Sequence, residues 1–529
     1  MNSKIKGIKF TTLFIMVIFS LICLFACEPN KPKQTPIKPS LPPTTQIEKP
    51  STYQAEILTR GVYDDFILHP EKIQQPEQAA LLRDLFEGLV IYDPQGNITA
   101  GVAESWKSAD QKTWIFTLRN NAKWSTGENI TAQDFVRSWQ QLALSDNPQK
   151  QFLRYMNVKN ATAVIEKTLP EQQLGVQALD EHRLQISLDK STPYLPKMLV
   201  HIALLPNYSN VDPQGHLVSN GAYQIAEQLE DYIQLSRNPY YWNENSRSFS
   251  QVIYQRMGSS QANRSIDIIQ NVQQKVPNTH YFPQLCTYFY EFNFHDPMLK
   301  QKAVRNALVS MVPSNILPQS PFIMPNSINY LPNNMQFEQE RDFEPTLVEQ
   351  KLQQAGITEQ KPLNLRLTYD DNGLHKQIAE HLIRAWSQSD LIRMQADPVS
   401  YQTLLEQRSK GDFQIIRSGW CADYNDPSAF LSLLHSKSAD NKMGFSDKEI
   451  DLWLEQTLAS DISDQKRTAL YRKIIERIQQ EDVVVPIFQY AMPISIAPSI
   501  AGYNLINPTS VIYSKDLYRL NSPKATDTK

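Results

Sequence analysis

The sequence predicts an α/β protein of more than one domain, and three observations predict it. The chain has 529 residues and is 41% hydrophobic, enough for more than one sizeable core. Apolar runs of strand length alternate with segments whose apolar residues recur at helical spacing. At 413–434 a strand-like run, Phe-Gln-Ile-Ile, meets the charged stretch Arg417-Ser-Gly-Trp-Cys-Ala-Asp-Tyr-Asn-Asp-Pro427 before a helix start at 429–434. The point where a strand ends and a turn begins is a common address for a ligand site in an α/β domain. Arg417 and Asp423 place one cation and one anion there, as a zwitterionic ligand would need. An ordinary ion pair or a capping Asp would use the same residues.

The amino terminus reads as a targeting segment. Residues 1–9 carry three Lys and no acid, and 10–25 are apolar. A charged n-region and an apolar h-region of this length make a secretory signal; an uncleaved membrane anchor is the rival, with an h-region short for a span. Residues 28–50 are mostly Pro, Lys, Thr and Gln and read as an extended tether. The net charge of −3 gives no basic excess and points away from nucleic acid. The 8 Trp and 23 Tyr suit either a binding surface or a large core. No Gly-rich phosphate loop, metal-spaced His or Cys cluster, or Gly-x-Ser-x-Gly elbow is present, so no enzyme activity and no cofactor are expected.

Along the chain, Glu56-Ile-Leu58 is a candidate strand, 79–90 a helix, and Asp93-Pro-Gln-Gly96 a turn. Residues 114–118 form a strand, 125–127 a turn, and Thr131 caps a helix that begins at Ala132. Asp180-Glu-His182 joins two strands within 174–188. Segments 220–223 and 233–235 read as strands, 237–242 as a turn into a helix, and 286–293 as a strand. A helix begins at 305–308. Beyond it Pro313, Pro318, Pro321 and Pro325 disallow a regular helix. Residues 346–355 and 375–386 are helices, 363–368 is a strand, and Arg408 lies on a helix ending near Gly411. Ser446 caps a helix with Ile450, Trp453, Leu454 and Leu458 on one face; a second helix presents Leu470, Ile474, Ile475 and Ile478. Residues 483–488 form a buried strand.

Gly-Trp-Cys-Ala-Asp-Tyr-Asn-Asp-Pro at 419–427 resembles the matching segment of the periplasmic oligopeptide-binding proteins of bacterial ABC importers. Further matches are Val102-Ala-Glu-Ser-Trp106, Thr113-Trp-Ile-Phe-Thr-Leu118, Trp124-Ser-Thr-Gly127, Thr131-Ala-Gln-Asp-Phe135, Asn220-Gly-Ala-Tyr223 and Arg237-Asn-Pro-Tyr-Tyr-Trp242. Their order and spacing are those of solute-binding proteins of the large peptide and nickel class, and the resemblance spans roughly 53–520. Where many members have Asp before the turn Gly, this chain has Thr126.

The resemblance implies a bilobal periplasmic-binding-protein-like fold of the large class II (cluster C) type, with an extra domain. It implies a signal peptide at 1–26 and a lipidated Cys27 heading the tether to 50. The first lobe would comprise 51–99, 187–285 and 491–520, interrupted by the extra domain at 100–186. The second lobe would be 286–490, and 521–529 a loose tail. Strands near 286 and 483 would be the two crossings between lobes. It also implies that Cys421 pairs with a distant Cys. With Cys23 in the signal and Cys27 lipidated, Cys286 is the partner that the cysteine count leaves in an oxidising compartment.

For the ligand, the resemblance implies that Asp423 binds a peptide ammonium and Arg417 a peptide carboxylate, with Arg408 and His375 as further groove residues. Glu87 matches a groove acid, Tyr401 an aromatic that stacks on a ligand side chain, and Gly419 and Cys421 are ligand-binding positions of the same run. Bottom-up, Glu87 reads equally as an exposed helical acid and His375 as a surface or cap residue. The implied function is a monomeric receptor, lipid-anchored in the periplasm or cell envelope, that hands peptides to permease subunits. Cell-wall peptides, haem or another small ligand, a surface lipoprotein without a transport role, and an exported hydrolase are the alternatives. The Pro-rich departure at 312–325 and a shortened 259–270 segment make the ligand class less defined than the fold.

Overall fold

The computed structural model describes residues 57–63, 65–73, 79–209, 217–244, 249–258, 265–272, 276–313, 316, 317, 320, 322–324, 330–337 and 347–520. The signal, Cys27, the tether, Pro318, Pro321, Pro325 and the tail lie outside these residues.

The main element is one ten-stranded sheet. Its spatial order is Ile392–Val399, Leu363–Asp370, Ile415–Cys421, Thr279–Phe292, Val484–Ile496, Ile268–Ile269, Ile57–Val62, Gln251–Arg256, Tyr232–Arg237 and Tyr223–Gln228. Near the middle lie the two longest strands, Thr279–Phe292 and Val484–Ile496, paired antiparallel. They carry the chain between the two halves of the sheet. Both are longer than the sequence pattern suggested, and Pro283, Pro486 and Pro493 sit inside them. Register shifts interrupt their pairing between Pro283 and Thr287 and between Tyr288 and Phe289. Such bulges accommodate prolines that cannot donate to the ladder and re-aim nearby side chains. Buried Gln489 takes up the slack: its amide donates to Gln284 O at 2.7 Å, and its Oε1 accepts from Asn333 N–H at 3.0 Å.

On the outer side of Thr279–Phe292 runs Ile415–Cys421, antiparallel, with Cys286 opposite Cys421, Tyr288 opposite Gly419 and Tyr290 opposite Arg417. The sequence reading ended this strand at Ile416. The structure carries it through Cys421, because the ladder to Thr279–Phe292 keeps residues 417–421 extended. Cys286 and Cys421 form a disulfide with Cα atoms 4.0 Å apart.

Several other elements differ from their sequence pattern. The helix read over 79–90 is Ala79–Leu85, and Val90 already belongs to the strand Val90–Tyr92. Gly101 explains the early stop: its Cα lies so close to Gly88 O that an added Cβ would come within 2.7 Å, so the chain at 88 is paired extended, not coiled. Arg237 still belongs to the strand Tyr232–Arg237, residues 238–243 turn, and Glu244 begins a 3-10 turn at the edge of the described residues. The helix Lys448–Gln456 is capped by Asp447, whose carboxylate accepts from Glu449 and Ile450 N–H, and not by Ser446. Thr131 does cap Ala132–Leu144, with Asp134 accepting from its backbone N–H at 2.8 Å. That helix covers a separate four-stranded sheet, Ala103–Ser108, Thr113–Leu118, Arg183–Ser187 and Val176–Ala178.

The helix Lys302–Ser310 ends before Pro313. Beyond it Ile323 makes an isolated antiparallel bridge with Tyr490, and Ala491 N–H donates to Phe322 O at 2.9 Å. Extended chain at 322–324 thus lies along a central strand. A buried network ties the returning chain to the strand Ile57–Val62, the helix Ala79–Leu85 and the strand Gln251–Arg256. Asp84 accepts from Ser514 N–H at 3.0 Å and Tyr254 OH at 2.7 Å, and Arg60 donates to Ser514 Oγ at 2.9 Å and Ile512 O at 3.1 Å.

The disulfide closes a loop across a separation of 135 residues. Chain entropy gives such a link an upper value of roughly 5 kcal/mol. Cys286→Ser/Cys421→Ser should therefore melt well below the parent in a thermal scan, and dithiothreitol should lower the parent to the same point. Equal melting of all three would show that the strand pairing alone carries this stability.

Candidate functional site

The strand Ile415–Cys421 distributes its side chains by the period of two. Arg417, Gly419 and Cys421 face one way, and Asp423 continues that side just past the strand end. Ser418 faces the other. The first set borders a cavity of about 620 Å³. Its walls come from elements distant in sequence: Ala79 and Arg83 of the helix Ala79–Leu85, Tyr92 of the strand Val90–Tyr92, His201 and Gln270, together with Tyr401, Arg417, Gly419, Cys421, Asp423 and Tyr490. Thr509–Ile512, beside the Arg60 network, completes the rim. Gly419 is required here, since an added Cβ would stand 2.9 Å from Thr287 O.

Asp423 borders the cavity without a counter-charge among the described residues. Among the described residues no cation or hydrogen-bond donor pairs with its carboxylate. It is exposed on the cavity, and partial desolvation by the surrounding protein raises its pKa above the ordinary value. The turn that carries it is held firmly. Tyr424 stacks on Tyr194 with centroids 5.4 Å apart and 7° between planes. Asn425 donates to Gly96 O at 3.4 Å. Asp426, 2% exposed, accepts from Lys197 Nζ at 2.7 Å, Tyr471 OH at 3.0 Å and Ser428 N–H at 3.1 Å. Burial pushes the Asp426 carboxyl up, but Lys197 and these donors outweigh it and leave its pKa lowered.

Arg417 already has a partner. Its Nε lies 3.0 Å from Asp370 Oδ1, and its Nη2 lies 2.8 Å from His375 Nε2. The guanidinium also stands over the rings of Tyr288, at 5.4 Å, and Tyr401, at 5.7 Å. His375 stacks on Tyr288 at 5.4 Å. Burial first, and then the Arg417 charge, lower the His375 pKa to about 4, against a smaller opposing pull from Asp370. The imidazole is therefore neutral near pH 7, with Nε2 accepting from Arg417. His375 does not border the cavity; it orients Arg417. Tyr401, 56% exposed, does border it.

Like His375, two further residues expected in the groove do not border the cavity. Glu87, 4% exposed, accepts from Tyr241 OH at 2.5 Å and Trp242 Nε1 at 2.6 Å. Burial raises its pKa. It locks the aromatic turn at 238–242 and is neither a groove residue nor an exposed helical acid. Arg408 lies on the opposite face of the central strands. It grips Glu291, 1% exposed, at 2.7–3.1 Å, and Ser418 Oγ donates to the same carboxylate at 2.9 Å. Parity explains this: Ser418 and Glu291 point away from the side on which Arg417, Gly419 and Cys421 sit.

The sequence reading missed Asp370, Arg83, Tyr92 and His201. An acid at the end of a parallel strand before a helix could have flagged Asp370. Nothing in the local pattern marks the other three, which come from distant elements. Among the described residues no group of three or more His, Cys, Asp or Glu is placed to hold a metal, and no helix is long and apolar enough to cross a membrane.

A cavity lined by distant elements, with a preset arginine and an acid without a described partner on its wall, has the geometry of a binding site. The model of the bacterial extracellular solute-binding proteins, family 5 Middle, matches residues 97–442, and the chain belongs to that family. It is a solute-binding protein, not an enzyme. A "Putative binding protein" of Haemophilus influenzae is 48% identical over 95% of this chain and 97% of its own length. The "Periplasmic oligopeptide-binding protein OppA" of Salmonella typhimurium is 32% identical over 85% of this chain and 90% of its own. Among solved structures, the unliganded open form of the murein tripeptide-binding protein MppA matches with a TM-score of 0.79 and 29% identity, covering 88% of this chain and 98% of that one.

Arg408→Met strands a buried carboxylate at Glu291, so it should cost on the order of 3–5 kcal/mol of stability in denaturant unfolding. A ligand-groove role would instead leave unfolding unchanged. His375 has a folded pKa below its unfolded one, so its contribution is full above pH 6.5 and is lost as pH falls towards about 4. His375→Gln should flatten that part of the stability–pH curve; an unchanged slope would contradict the assignment.

Proposed function

We propose that this protein is a lipid-anchored extracytoplasmic receptor that captures peptides in the cavity and delivers them to an ABC importer. The observation that carries this reading is the Asp423 carboxylate, exposed on the cavity, partly desolvated and without a partner among the described residues. A ligand ammonium supplies the missing charge-assisted contact. Arg417, preset by Asp370 and His375, receives a ligand carboxylate, and Tyr401 offers a face for a side chain. Gly419 lets an extended ligand approach the strand, with Cys421 beside it. Closure of the second lobe on the first, about the two crossing strands, would complete the complex. The oligopeptide-binding name of OppA supports the peptide class. The secretory signal, lipid at Cys27 and a Pro-rich tether would place the receptor at the envelope as a monomer.

A second reading is a receptor for cell-wall peptides. The likeness to the open form of MppA, at a TM-score of 0.79, favours it. Native mass spectrometry of the protein purified from its host separates the two. A set of short-peptide masses supports general peptide capture. A single mass fitting a γ-linked wall peptide supports the second reading. A protein that stays empty and ignores a peptide library overturns both.

Asp423→Asn should weaken peptide binding by about 2–5 kcal/mol in calorimetry. Because the Asp423 pKa is raised, parent affinity should begin to fall, on acidification, at higher pH than an ordinary carboxylate would dictate, and Asp423→Asn should lose that dependence. Undiminished binding by the variant would remove Asp423 from the ligand.

A further inference from the structure

We infer that Asp370 is a specificity-setting residue that acts through Arg417: it competes with the ligand carboxylate for the guanidinium, so that peptides with free and with blocked carboxyl ends bind almost alike. The inference rests on the peptide-receptor reading and deepens it, because it fixes how strongly the carboxylate contact discriminates.

Asp370 ends the strand Leu363–Asp370, which runs parallel to Ile415–Cys421 with Thr368 beside Ile416. This register brings the strand end next to Arg417, and Asp370 Oδ1 lies 3.0 Å from Arg417 Nε. Arg417 borders the cavity and Asp370 does not, so the acid sits behind the arginine. The two side chains are 13% and 4% exposed, so salt and water screen their attraction little. His375 Nε2 lies 3.7 Å from Asp370 Oδ2, but the imidazole is neutral near pH 7 and brings no charge against the acid. Arg417 is therefore the counter-charge of Asp370 among the described residues, and towards the cavity the pair counts as neutral.

The pairing cancels charge without using up donors. Arg417 Nε and Asp370 Oδ1 meet as ions, and neither makes an aligned hydrogen bond. Nη2 meets His375 Nε2 at 2.8 Å, and Nη1 has no acceptor among the described residues. A ligand oxygen can bond there, and an amide oxygen has the lone pairs to do so as a carboxylate oxygen has. Charge is what separates the two. Coulomb energy falls as the inverse of distance, so a ligand carboxylate roughly 4 Å from the guanidinium carbon and roughly 7 Å from the Asp370 carboxylate loses about half of its attraction to repulsion. The carboxylate also carries the larger desolvation cost. Orientation of Arg417 by Asp370 and competition from Asp370 predict opposite signs: loss of the acid lowers carboxylate binding in the first case and raises it in the second.

The test is calorimetry on the full-length protein in detergent, with tri- and tetra-alanine, each as the free acid and as the carboxy-terminal amide. In the parent, acid and amide of each length should differ by less than about five-fold. Asp370→Asn, with Asp370→Ser as a second neutral variant, should raise the acid-to-amide affinity ratio at least about five-fold at the length that reaches Arg417, through tighter acid binding and unchanged amide binding. Asp370→Glu should restore the parent ratio. A larger preference for the acid in the parent, or a ratio that stays or falls in the neutral variants at both lengths, overturns the inference while the peptide-receptor reading stands. Failure of all four peptides to bind the parent overturns both.

Discussion

The antiparallel register between Thr279–Phe292 and Ile415–Cys421 is the constraint on which the site depends. With Cys286 opposite Cys421, every second residue of both strands is committed to one face. Arg417, Gly419 and Cys421 then share a side with Tyr288 and Tyr290. Glu291 and Ser418 share the other. A slip of one residue would exchange these sets. The cross-strand disulfide fastens the register at its cavity end, and the Glu291–Arg408–Ser418 cluster fastens it at the other.

The cavity has a division of labour among its charges. Asp426, Glu87 and Glu291 are buried acids with full sets of donors, and their work is to hold turns and strands in place. Asp370 and His375 spend their contacts on Arg417. Asp423 borders the cavity and is left uncompensated by the described protein. The rigid turn under it keeps it from collapsing onto the surface, so the cost of desolvation can be recovered from a ligand.

The path of the Pro-rich segment shows how local sequence and sheet architecture combine. Pro313 closes the preceding helix, as proline must. The route of the chain beyond Pro313 has no local signal in the sequence. Extended chain at 322–324 runs beside Tyr490 and Ala491, so a segment that cannot coil lies along a central strand, next to residues that border the cavity.

Composition and periodicity were enough to read the α/β class and most helices and strands, including the Thr131 cap and the Gly411 stop. They also placed Arg417, Gly419, Cys421 and Asp423 in one short run, because a strand and its adjoining turn are local objects. Tertiary structure decided the rest. Glu87 and Arg408 look like ligand residues in sequence, yet each is consumed by partners more than a hundred positions away. Arg83, Tyr92 and His201 carry no local mark and share a cavity with Asp423 only in the folded chain. Periodicity assigns a residue to a face, but whether its charge stays open to a ligand depends on which distant side chain folds against it.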